Sequence, residues 1–394
     1  MKEKKIVIFE SYYKAIGGNQ RYIAYLFKYQ NYSGYKPVLI CPGQGILTDL
    51  VKAENGEIHI LNAPQKLLQY GGSISRALLP KKLIIYMMLF IYNIRALTLL
   101  HRLKPSVLLC NNIRSLLMIG NAAKLCRIPV VWFVKGELDN SVLDRIGFKL
   151  AAKVIFLSKS LMHPCYKKIF KKYPDKFHHV RIGIELDAAQ KAKTSEPVEV
   201  APGFPRDRNT VSFACASYIR PKKGLESLID AFSHIIRKGY KSRLYIIGDT
   251  ADKDYVSSLA NQARNNGSGE FVHFIGWTDN IHEVLEATDV YVLPSLTEGV
   301  SRSVVEAMSQ GKPVIATNVG GIFELLQGGG LGLVVPPADT AALLEAMEKL
   351  VSDPLLREKM GQAARAEIFS NYSIQTHVQN LSKVFEELAT KGRS

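Results

Sequence analysis

Short apolar runs recur along the chain, and stretches with helical spacing separate them. In the first half the runs fall at 5–10, 36–42, 106–111, 129–134 and 153–158. A second series falls at 210–217, 242–248, 270–276, 289–295, 312–318 and 332–337. Runs of Val, Ile, Leu and Phe without polar alternation are typical of parallel strands buried on both faces. Helical segments such as 224–239 and 280–288 lie between the strands, so the pattern predicts repeated βα units.

The two series are separated at 190–210 by a polar, proline-containing stretch without periodicity, which predicts a linker. A chain of 394 residues is also too long for one ordinary core. We therefore expect an α/β protein with two Rossmann-like, doubly wound parallel-sheet domains at 1–200 and 201–372, facing a central cleft. Ligands would bind at the carboxyl ends of the strands in that cleft. The remaining segment, 373–394, predicts a helix that can pack back toward the first domain.

The amino-acid composition indicates the cellular compartment and the relation of the chain to membranes. Five scattered cysteines without a CxxC pair favour reduced thiols in the cytoplasm over a disulfide frame or a zinc site. The start of the chain lacks the apolar core of a signal peptide. In 81–104 the unbroken apolar run ends at residue 92, about half the length that a spanning helix needs. We expect a buried or membrane-leaning helix there rather than a spanning one.

Charge is distributed unevenly. Residues 1–200 hold 31 Lys and Arg against 13 Asp and Glu, whereas residues 201–394 hold 20 against 22. The basic character of the chain therefore belongs to its first half, including 166–176 and the flanks of the apolar helix. This predicts an anionic partner such as a lipid surface or a lipid-linked substrate, with solvated lysines as the alternative. Nucleic acid is not expected, because the basic residues form no recognised nucleic-acid-binding module.

The segment 293–321, LPSLTEGVSRSVVEAMSQGKPVIATNVGG, places two glutamates after a predicted buried strand. Glu298 lies in the turn that leaves the strand, and Glu306 lies inside the following helix. Ser303 and Glu306 have the spacing of a capping box, which is the purely structural interpretation. Alternatively, the helix start binds a phosphate and Gly299 permits close backbone approach. Carboxylates beside such a site can accept hydrogen bonds from sugar hydroxyls.

The E-x7-E element of Glu298 and Glu306, followed in order by EAM, GKPVIAT, GG and GLGLVVPPAD, resembles the retaining GT-B glycosyltransferases of family four, also called glycosyl transferases group 1. The resemblance is strong over 205–375 and weak over 1–200, where only GGNQRYIAYL and FLSKSL are similar. It implies that Glu306 holds the donor ribose and that Glu298 contacts the transferred sugar. It also implies that the N–H groups of Ser301, Arg302 and Ser303 meet the diphosphate.

The loop 217–224 supplies cations for the same site. In the family this loop carries an arginine and a lysine that clamp the diphosphate. Lys223 falls on the lysine position, whereas Tyr218 takes the arginine position, so Arg220 is expected to substitute. The alternative is a solvated basic loop. Gly248 ends the next strand and is expected near the diphosphate, although the second glycine usual in the family is missing.

Two further elements of the second half are ambiguous. Ile275, Gly276 and Trp277 are candidates to border the base, with Trp277 interpreted as a core residue rather than as a stacking platform. The acidic pair in DKD at 252–254 fits a metal-binding D-x-D, but a helix N-terminus explains it equally well. We therefore expect no metal site and no cofactor other than the donor.

In the first half, Gly17 and Gly18 lie between the first strand and a helix, where the resemblance implies contact with phosphate or sugar; an ordinary turn is the alternative. Family members often carry a histidine at the end of the strand 129–134. Here Lys135 takes that place, with Glu137 following. Lys135 is expected to support the leaving phosphate or the acceptor.

The expected function is transfer of a hexosyl or N-acetylhexosaminyl group, with retention, from a UDP- or GDP-sugar to a glycan or lipid-linked acceptor. Lys223 and Arg220 would stabilise the leaving diphosphate while Glu298 positions the sugar. The resemblance implies front-face attack in bacterial lipopolysaccharide, capsule or exopolysaccharide synthesis, at the inner face of the cytoplasmic membrane. The alternatives are a GT-B-like epimerase or phosphorylase, and a non-catalytic nucleotide-sugar-binding partner or scaffold.

Overall fold

The computed structural model describes residues 4–14, 18–68, 79–136, 138, 142–162, 166–186, 209–250, 252–278 and 281–391 of the chain. Within these ranges, the side chains of 79–82 and 390–391 are not described. Gly17, Glu137 and most of the predicted linker at 190–210 lie outside them. The chain divides into two compact units, Met1–Gly183 with Ile374–Ser394, and Ile184–Ser373.

The first unit is built on a seven-stranded parallel sheet. Its strands are β1 (Lys5–Phe9), β2 (Lys36–Cys41), β3 (Glu57–Ile60), β4 (Val107–Cys110), β5 (Val130–Val134), β6 (Lys153–Phe156) and β7 (Phe177–His179). They lie in the order β3-β2-β1-β4-β5-β6-β7. The five predicted strands are confirmed. The edge strands β3 and β7 were missed because each is only partly buried and carries polar residues, so neither reads as an apolar run.

Helices connect these strands. They are α1 (Gly18–Lys28), α2 (Ile46–Ala53), α3 (Gln65–Leu68), α4 (Leu79–Leu103), α5 (Ile113–Leu125), α6 (Val142–Leu150) and α7 (Lys167–Lys172). Helix α4 covers the segment that was expected to be buried or membrane-leaning. Its inner face is buried at Tyr92, Ala96 and Leu100. The Tyr92 hydroxyl donates to the Leu61 carbonyl at 3.0 Å, which ties α4 to the chain after β3.

The outer face of α4 is apolar and exposed. Leu83 and Phe90 are 72% and 68% exposed, and Met87 and Ile94 lie on the same face. The stretch Leu83–Leu103 is long and apolar enough to cross a membrane by length and composition, and only a minority of it is buried in the fold. One side of α4 is therefore a core element, and the other is an apolar surface.

The second unit contains a six-stranded parallel sheet. Its strands are β8 (Val211–Ala216), β9 (Ser242–Ile247), β10 (Val272–Gly276), β11 (Val290–Leu293), β12 (Val314–Thr317) and β13 (Leu333–Val335). They lie in the order β10-β9-β8-β11-β12-β13. The helices are α8 (Leu225–Arg237), α9 (Lys253–Asn265), α10 (Ile281–Glu286), α11 (Arg302–Ser309), α12 (Ile322–Leu325), α13 (Thr340–Ser352) and α14 (Pro354–Asn371). All six predicted strands are confirmed, and so is the prediction of two doubly wound parallel-sheet domains.

In each sheet the strand order reverses at one place, between β1 and β4 in the first unit and between β8 and β11 in the second. Connections to the left and right of this point leave on opposite faces, so the loops at the carboxyl ends of the two strands diverge and leave a crevice. Such switch points are where open α/β sheets bind their ligands. A ligand-binding site is therefore expected at the switch point of each sheet.

The last helix, α15 (Ile374–Lys391), belongs to the first unit. His377 lies buried at its start, with its Nδ1 2.5 Å from the Arg181 carbonyl and its Nε2 2.9 Å from the Tyr22 hydroxyl. A carbonyl only accepts, so Nδ1 carries the proton and Nε2 accepts from Tyr22. Burial lowers the pKa of His377 to about 4, and a neutral imidazole therefore fixes α15 to α1 and to the chain after β7.

Candidate functional site

Two loops meet at the switch point of the second sheet. The Lys223 ammonium lies 2.5 Å from Oε1 of Glu298, and the Ser295 hydroxyl donates to the same oxygen at 2.7 Å. Both charged side chains are about nine-tenths buried. The backbone N–H of Leu296 donates to the Lys222 carbonyl at 2.9 Å, so the loops are joined by main chain as well as by charge. The structure thus brings together Lys223 and Glu298, which are 75 residues apart in the chain.

Glycines make this close packing of loops possible. Gly224 has a left-handed backbone with φ of 63°, and a Cβ there would lie 2.2 Å from the Pro294 carbonyl oxygen. At Gly320 a Cβ would lie 2.2 Å from the carbonyl oxygen of Glu298. Beside it, the N–H of Gly321 donates to the Gly299 carbonyl at 2.7 Å. Any side chain at Gly224 or Gly320 would displace the loop that carries Glu298.

The start of α11 lies next to this ion pair in the chain. Ser301 is the N-cap residue and makes no side-chain capping hydrogen bond, and Ser303 lies inside the helix. Glu306 accepts from Nε of Arg302 at 2.7 Å rather than from a backbone N–H. The capping-box interpretation of Ser303 and Glu306 is therefore wrong. The Ser301 side chain thus does not cap the first N–H groups of α11, and the positive dipole end at this helix start favours an anion.

Tyr291, which the sequence analysis missed, holds this helix start against the sheet. Its buried hydroxyl lies 2.7 Å from the Ser303 hydroxyl and 3.0 Å from the Ala216 carbonyl. Burial raises the pKa of Tyr291 well above its usual value, so it remains a neutral hydrogen-bonding group. A tyrosine within a run of Val and Leu was a signal in the sequence, since a buried phenol needs a partner for its hydroxyl.

The other predicted residues of the second unit lie on neighbouring loops. Arg220 is exposed, and its guanidinium makes no hydrogen bond or ion pair with any residue that the structure describes. Gly248 follows β9, and its N–H donates to the Gly276 carbonyl at 2.8 Å, so Gly248 and Gly276 are in contact. Ile275 lies at an irregularity of the edge strand β10 and is half-buried.

Two interpretations of this region can now be decided. Trp277 is 48% exposed, so its interpretation as a core residue is wrong, because β10 ends at the left-handed Gly276 and the chain leaves the sheet there. Asp252 caps α9 by accepting from the Tyr255 N–H at 3.0 Å, which confirms the helix N-terminus interpretation of DKD. Among the described residues, no group of three or more His, Cys, Asp and Glu is arranged to hold a metal ion.

A carboxylate also lies at the switch point of the first sheet. Glu10 follows β1 and is fully buried. Its Oε1 accepts from the Tyr12 N–H at 2.8 Å and from Asn112 at 2.6 Å, and its Oε2 accepts from Asn111 at 2.7 Å. Burial raises the pKa of Glu10, against the lowering effect of these hydrogen bonds and of the Lys135 charge. The sequence analysis missed Glu10, Asn111 and Asn112.

Lys135 follows β5 at the same edge of the first sheet. Its ammonium lies 3.0 Å from the Asn19 side-chain oxygen and 4.0 Å from the centre of the Tyr22 ring. Gly18 and Asn19 are the first residues of α1, so the structure brings Lys135 to the helix start at which Gly18 was predicted to act. Gly17 lies outside the described residues.

Known proteins resemble the two units of this chain to different extents. Residues 202–367 match the family model described as Glycosyl transferases group 1. The chain is 32% identical over 193 residues to a phosphatidyl-myo-inositol mannosyltransferase of Mycobacterium leprae, covering 48% of this chain and 50% of that protein. It is 24% identical over 362 residues to the capsular polysaccharide biosynthesis glycosyltransferase CapM of Staphylococcus aureus, covering 86% of this chain and 91% of the relative. The chain thus spans half the length of one of these relatives and most of the other.

Solved structures extend the similarity to both units. A glycosyltransferase from Rickettsia africae aligns with a TM-score of 0.81 at 18% identity, over 98% of this chain and 99% of that one. The Anabaena protein Alr3699/HepE in complex with UDP aligns with a TM-score of 0.77 at 18% identity, over 98% and 100%. The fold is therefore GT-B, with two Rossmann-like parallel-sheet domains. Together with the matched region 202–367, it supports a glycosyltransferase.

Proposed function

We propose that the protein is a retaining glycosyltransferase that takes a hexosyl or N-acetylhexosaminyl group from a UDP- or GDP-sugar. The observation that carries this proposal is the Lys223–Glu298 pair beside the uncapped start of α11. A diphosphate needs positive charge and N–H donors, and a sugar needs hydroxyl acceptors. The switch point of the second sheet offers both within one loop cluster. Binding of UDP and UDP-glucose by a protein of the same fold is consistent with such a donor.

Each group in this cluster has a role that follows from its chemistry. The N–H groups at Ser301, Arg302 and Ser303, together with Lys223, neutralise the diphosphate as it leaves, so we propose that no metal ion is required. Arg220, which is exposed, turns toward the diphosphate when the donor binds. Glu298 accepts from the transferred sugar, and Glu306, which is oriented by its contact with Arg302, accepts from the donor ribose. Gly248, Gly299, Ile275 and Gly276 supply backbone and apolar contacts to the donor.

Reaction proceeds by front-face attack in this proposal. The acceptor hydroxyl bonds to the anomeric carbon as the bond to the diphosphate oxygen breaks, and its proton passes to that oxygen. The protein then contributes positioning and charge stabilisation rather than a nucleophile. In the first unit, Lys135, Gly17 and Gly18 hold the acceptor or the leaving phosphate.

The proposed acceptor is a glycan or a lipid-linked glycan, as in bacterial surface polysaccharide synthesis. Two curated relatives act, by their names, on phosphatidyl-myo-inositol and in capsular polysaccharide biosynthesis. The exposed apolar face of α4 and the surplus of Lys and Arg in residues 1–200 support attachment to an anionic membrane surface. We therefore place the enzyme peripherally at the inner face of the cytoplasmic membrane.

A ligand panel tests the donor. Thermal unfolding is measured with UDP- and GDP-sugars, because a ligand that binds the folded state raises the melting temperature. The stabilising donor is then incubated with lipid-linked acceptor extract, with and without EDTA, and the anomeric configuration of the product is determined by NMR. We expect transfer with retention that survives EDTA. Donor binding without transfer would favour the scaffold alternative, an inverted product would contradict the mechanism, and loss of activity with EDTA would contradict metal independence.

A vesicle assay tests the membrane proposal. We expect the protein to sediment with anionic vesicles more than with neutral ones at moderate salt, since screening weakens only the charge contribution. Leu83→Ser with Phe90→Ser should reduce binding severalfold. The matched control is Leu355→Ser, which removes an equally exposed leucine from the second unit. Equal binding to both vesicle types would contradict the charge contribution, and equal loss in the control would contradict attachment through α4.

A further inference from the structure

A cavity of about 770 Å³ lies at the amino-terminal edge of the first sheet, the edge opposite to the carboxyl ends described above. Its floor is formed by the residues that precede four neighbouring strands, including Lys4 before β1, Ser106 before β4, Pro129 before β5 and Ala152 before β6. The last turns of α4, α5, α6 and α15 form its walls. The cavity therefore shares no residue with the candidate donor site or with the Glu10 and Lys135 region.

The charged residues that line this cavity are all basic. Lysines 4, 104, 124 and 149 and Arg127 contribute five positive charges, and His101 adds a titratable ring. No acidic residue lines the cavity. Lys104, Lys124, Arg127 and Lys149 make no ion pair with the residues that the structure describes. Nearby, burial lowers the pKa of Lys176, and the Lys124 charge adds to this effect.

Compensation of helix dipoles does not account for all of this charge. Four helix C-termini, those of α4, α5, α6 and α15, lie at the cavity, and each carries about half a negative charge. Together they offset about 2 charges. Five cations surround the cavity, so a surplus of several positive charges remains for a ligand.

The backbone conformation is a second indication that the cations at this cavity serve a ligand. Lys104 and Arg127 follow the ends of α4 and α5 with left-handed φ values of 46° and 57°. This helix-ending position is usually taken by glycine, because a side chain is disfavoured there. Two of the five non-glycine residues with positive φ in the described chain thus carry a cation into the same cavity, where glycine would be the relaxed residue.

We propose that this cavity binds a phosphate-bearing polyanion, in a site separate from the donor site. Four lysines and one arginine that line a single open pocket match a ligand with two or more phosphate charges. The same chemistry is offered by a soluble pyrophosphate group and by the headgroup of an anionic phospholipid. His101 lines the cavity and is exposed on the outer face of α4, the face that carries Leu83 and Phe90. The cavity is therefore reachable from that apolar surface.

The experiment uses the full chain carrying Lys223→Ala, which weakens anion binding at the proposed donor site. Pyrophosphate is titrated calorimetrically at constant ionic strength, and sedimentation is measured with phosphatidylcholine vesicles with and without phosphatidic acid. The test variant adds Lys104→Gly and Arg127→Gly, which remove two cations and relax both backbones, so folding should be retained. Asn55→Gly, at φ of 55°, is the matched backbone control, and Lys52→Gln on α2 is the charge control.

We expect binding in at least one arm that weakens about tenfold or more in the Lys104→Gly/Arg127→Gly variant and is unchanged in both controls. Loss in the pyrophosphate arm identifies a soluble phosphate ligand, and loss in the phosphatidic acid arm alone identifies a lipid headgroup. Lys124→Gln with Lys149→Gln should give the same loss by a second route. No binding in either arm, or equal binding by the test variants and controls, overturns the proposal.

Discussion

The two sheets reverse their strand order in the same way, and each carries a glutamate at the carboxyl end of a strand beside the switch point. In the second unit, Glu298 pairs with the Lys223 ammonium on the loop after β8. In the first unit, Glu10 is fully buried and is held by the amides of Asn111 and Asn112. The same topology thus supports two kinds of carboxylate. A charge pair in a loop cluster can exchange partners with a ligand, whereas a carboxylate enclosed by amides holds neighbouring loops in place.

The first prediction concerns the pair in the second unit. Lys223→Ala should lower the turnover of the proposed reaction by about a hundredfold or more, because a charge that stabilises the leaving group is worth about 3–4 kcal/mol. Glu298→Gln should lower turnover by a similar factor, because it replaces the charged acceptor for the hydroxyls of the transferred sugar with a weaker neutral one. Single-turnover transfer rates measure this. Lys241→Ala, which removes an exposed lysine just before β9, is the matched control. Turnover near that of the wild type in Lys223→Ala would contradict the proposed site.

The second prediction concerns the buried carboxylate. Glu10→Ala leaves three N–H donors without their acceptor and should lower the free energy of unfolding of the first unit by about 4 kcal/mol. Glu298→Ala should also be costly, by about 3 kcal/mol, because it leaves the nine-tenths-buried Lys223 ammonium without its partner. The chain contains two tryptophans, so Trp277→Phe leaves buried Trp132 as a fluorescence reporter of the first unit.

Glu10→Gln provides the internal control for that result. The side-chain oxygen of Asn111 has no hydrogen-bond partner in the described structure. If the Asn111 amide turns over, it can accept from the new glutamine and restore one hydrogen bond. The loss should therefore be clearly smaller than for Glu10→Ala. Equal losses in the two variants would show that charge, rather than hydrogen bonding, holds this edge together.

A third prediction concerns the pH dependence of stability that His377 gives to the first unit alone. Burial holds the pKa of His377 at about 4, below the value of 6.5 for an unfolded histidine. The unfolded state therefore binds the proton more readily than the folded state. The contribution of neutral His377 to the free energy of unfolding is complete above pH 6.5 and is lost as the pH falls toward 4. The total is about 3 kcal/mol in the first unit. Denaturant unfolding followed by Trp132 should show this slope, and His377→Asn should remove most of it.

The smallest expected effect is that of Tyr291→Phe. Removing the hydroxyl takes a hydrogen-bond partner from Ser303 and from the chain at Ala216, which should cost about 1 kcal/mol of stability. Because Ser303 lies at the start of α11, the proposed donor should also bind a few times more weakly. Calorimetric titration of the donor checks this. Unchanged donor affinity in a destabilised variant would limit Tyr291 to a structural role.

Much of the second unit was predictable, because its central strands are buried on both faces and appear as apolar runs. The E-x7-E pattern likewise predicted that Glu298 and Glu306 occur together after a strand. The capping-box interpretation failed because Ser303 has the S-x-x-E spacing to Glu306 but lies inside the helix, whereas the N-cap residue is Ser301. Nothing in the local pattern shows that the helix begins after Ser301, or that Ser303 bonds to Tyr291 instead.

The first unit was less predictable at its site. Glu10 and Asn111 are separated by 101 residues, and they meet only because β4 pairs with β1 rather than with β3. Trp277 illustrates the same limit, since its exposure depends on the left-handed turn at Gly276 that ends β10. The amino-edge cavity is a third case, because its five cations come from four separate stretches of chain.

By itself, the sequence determined the fold class, the positions of the central strands and the concentration of basic residues in the first half, because local apolar spacing and residue type are enough for each. Only the tertiary structure decided which side chains meet: Lys223 with Glu298, Glu10 with two asparagines, and five cations around one cavity. The reason is physical. Strand order and helix packing set the distance between residues far apart in the chain, and electrostatic and hydrogen-bond interactions depend on that distance.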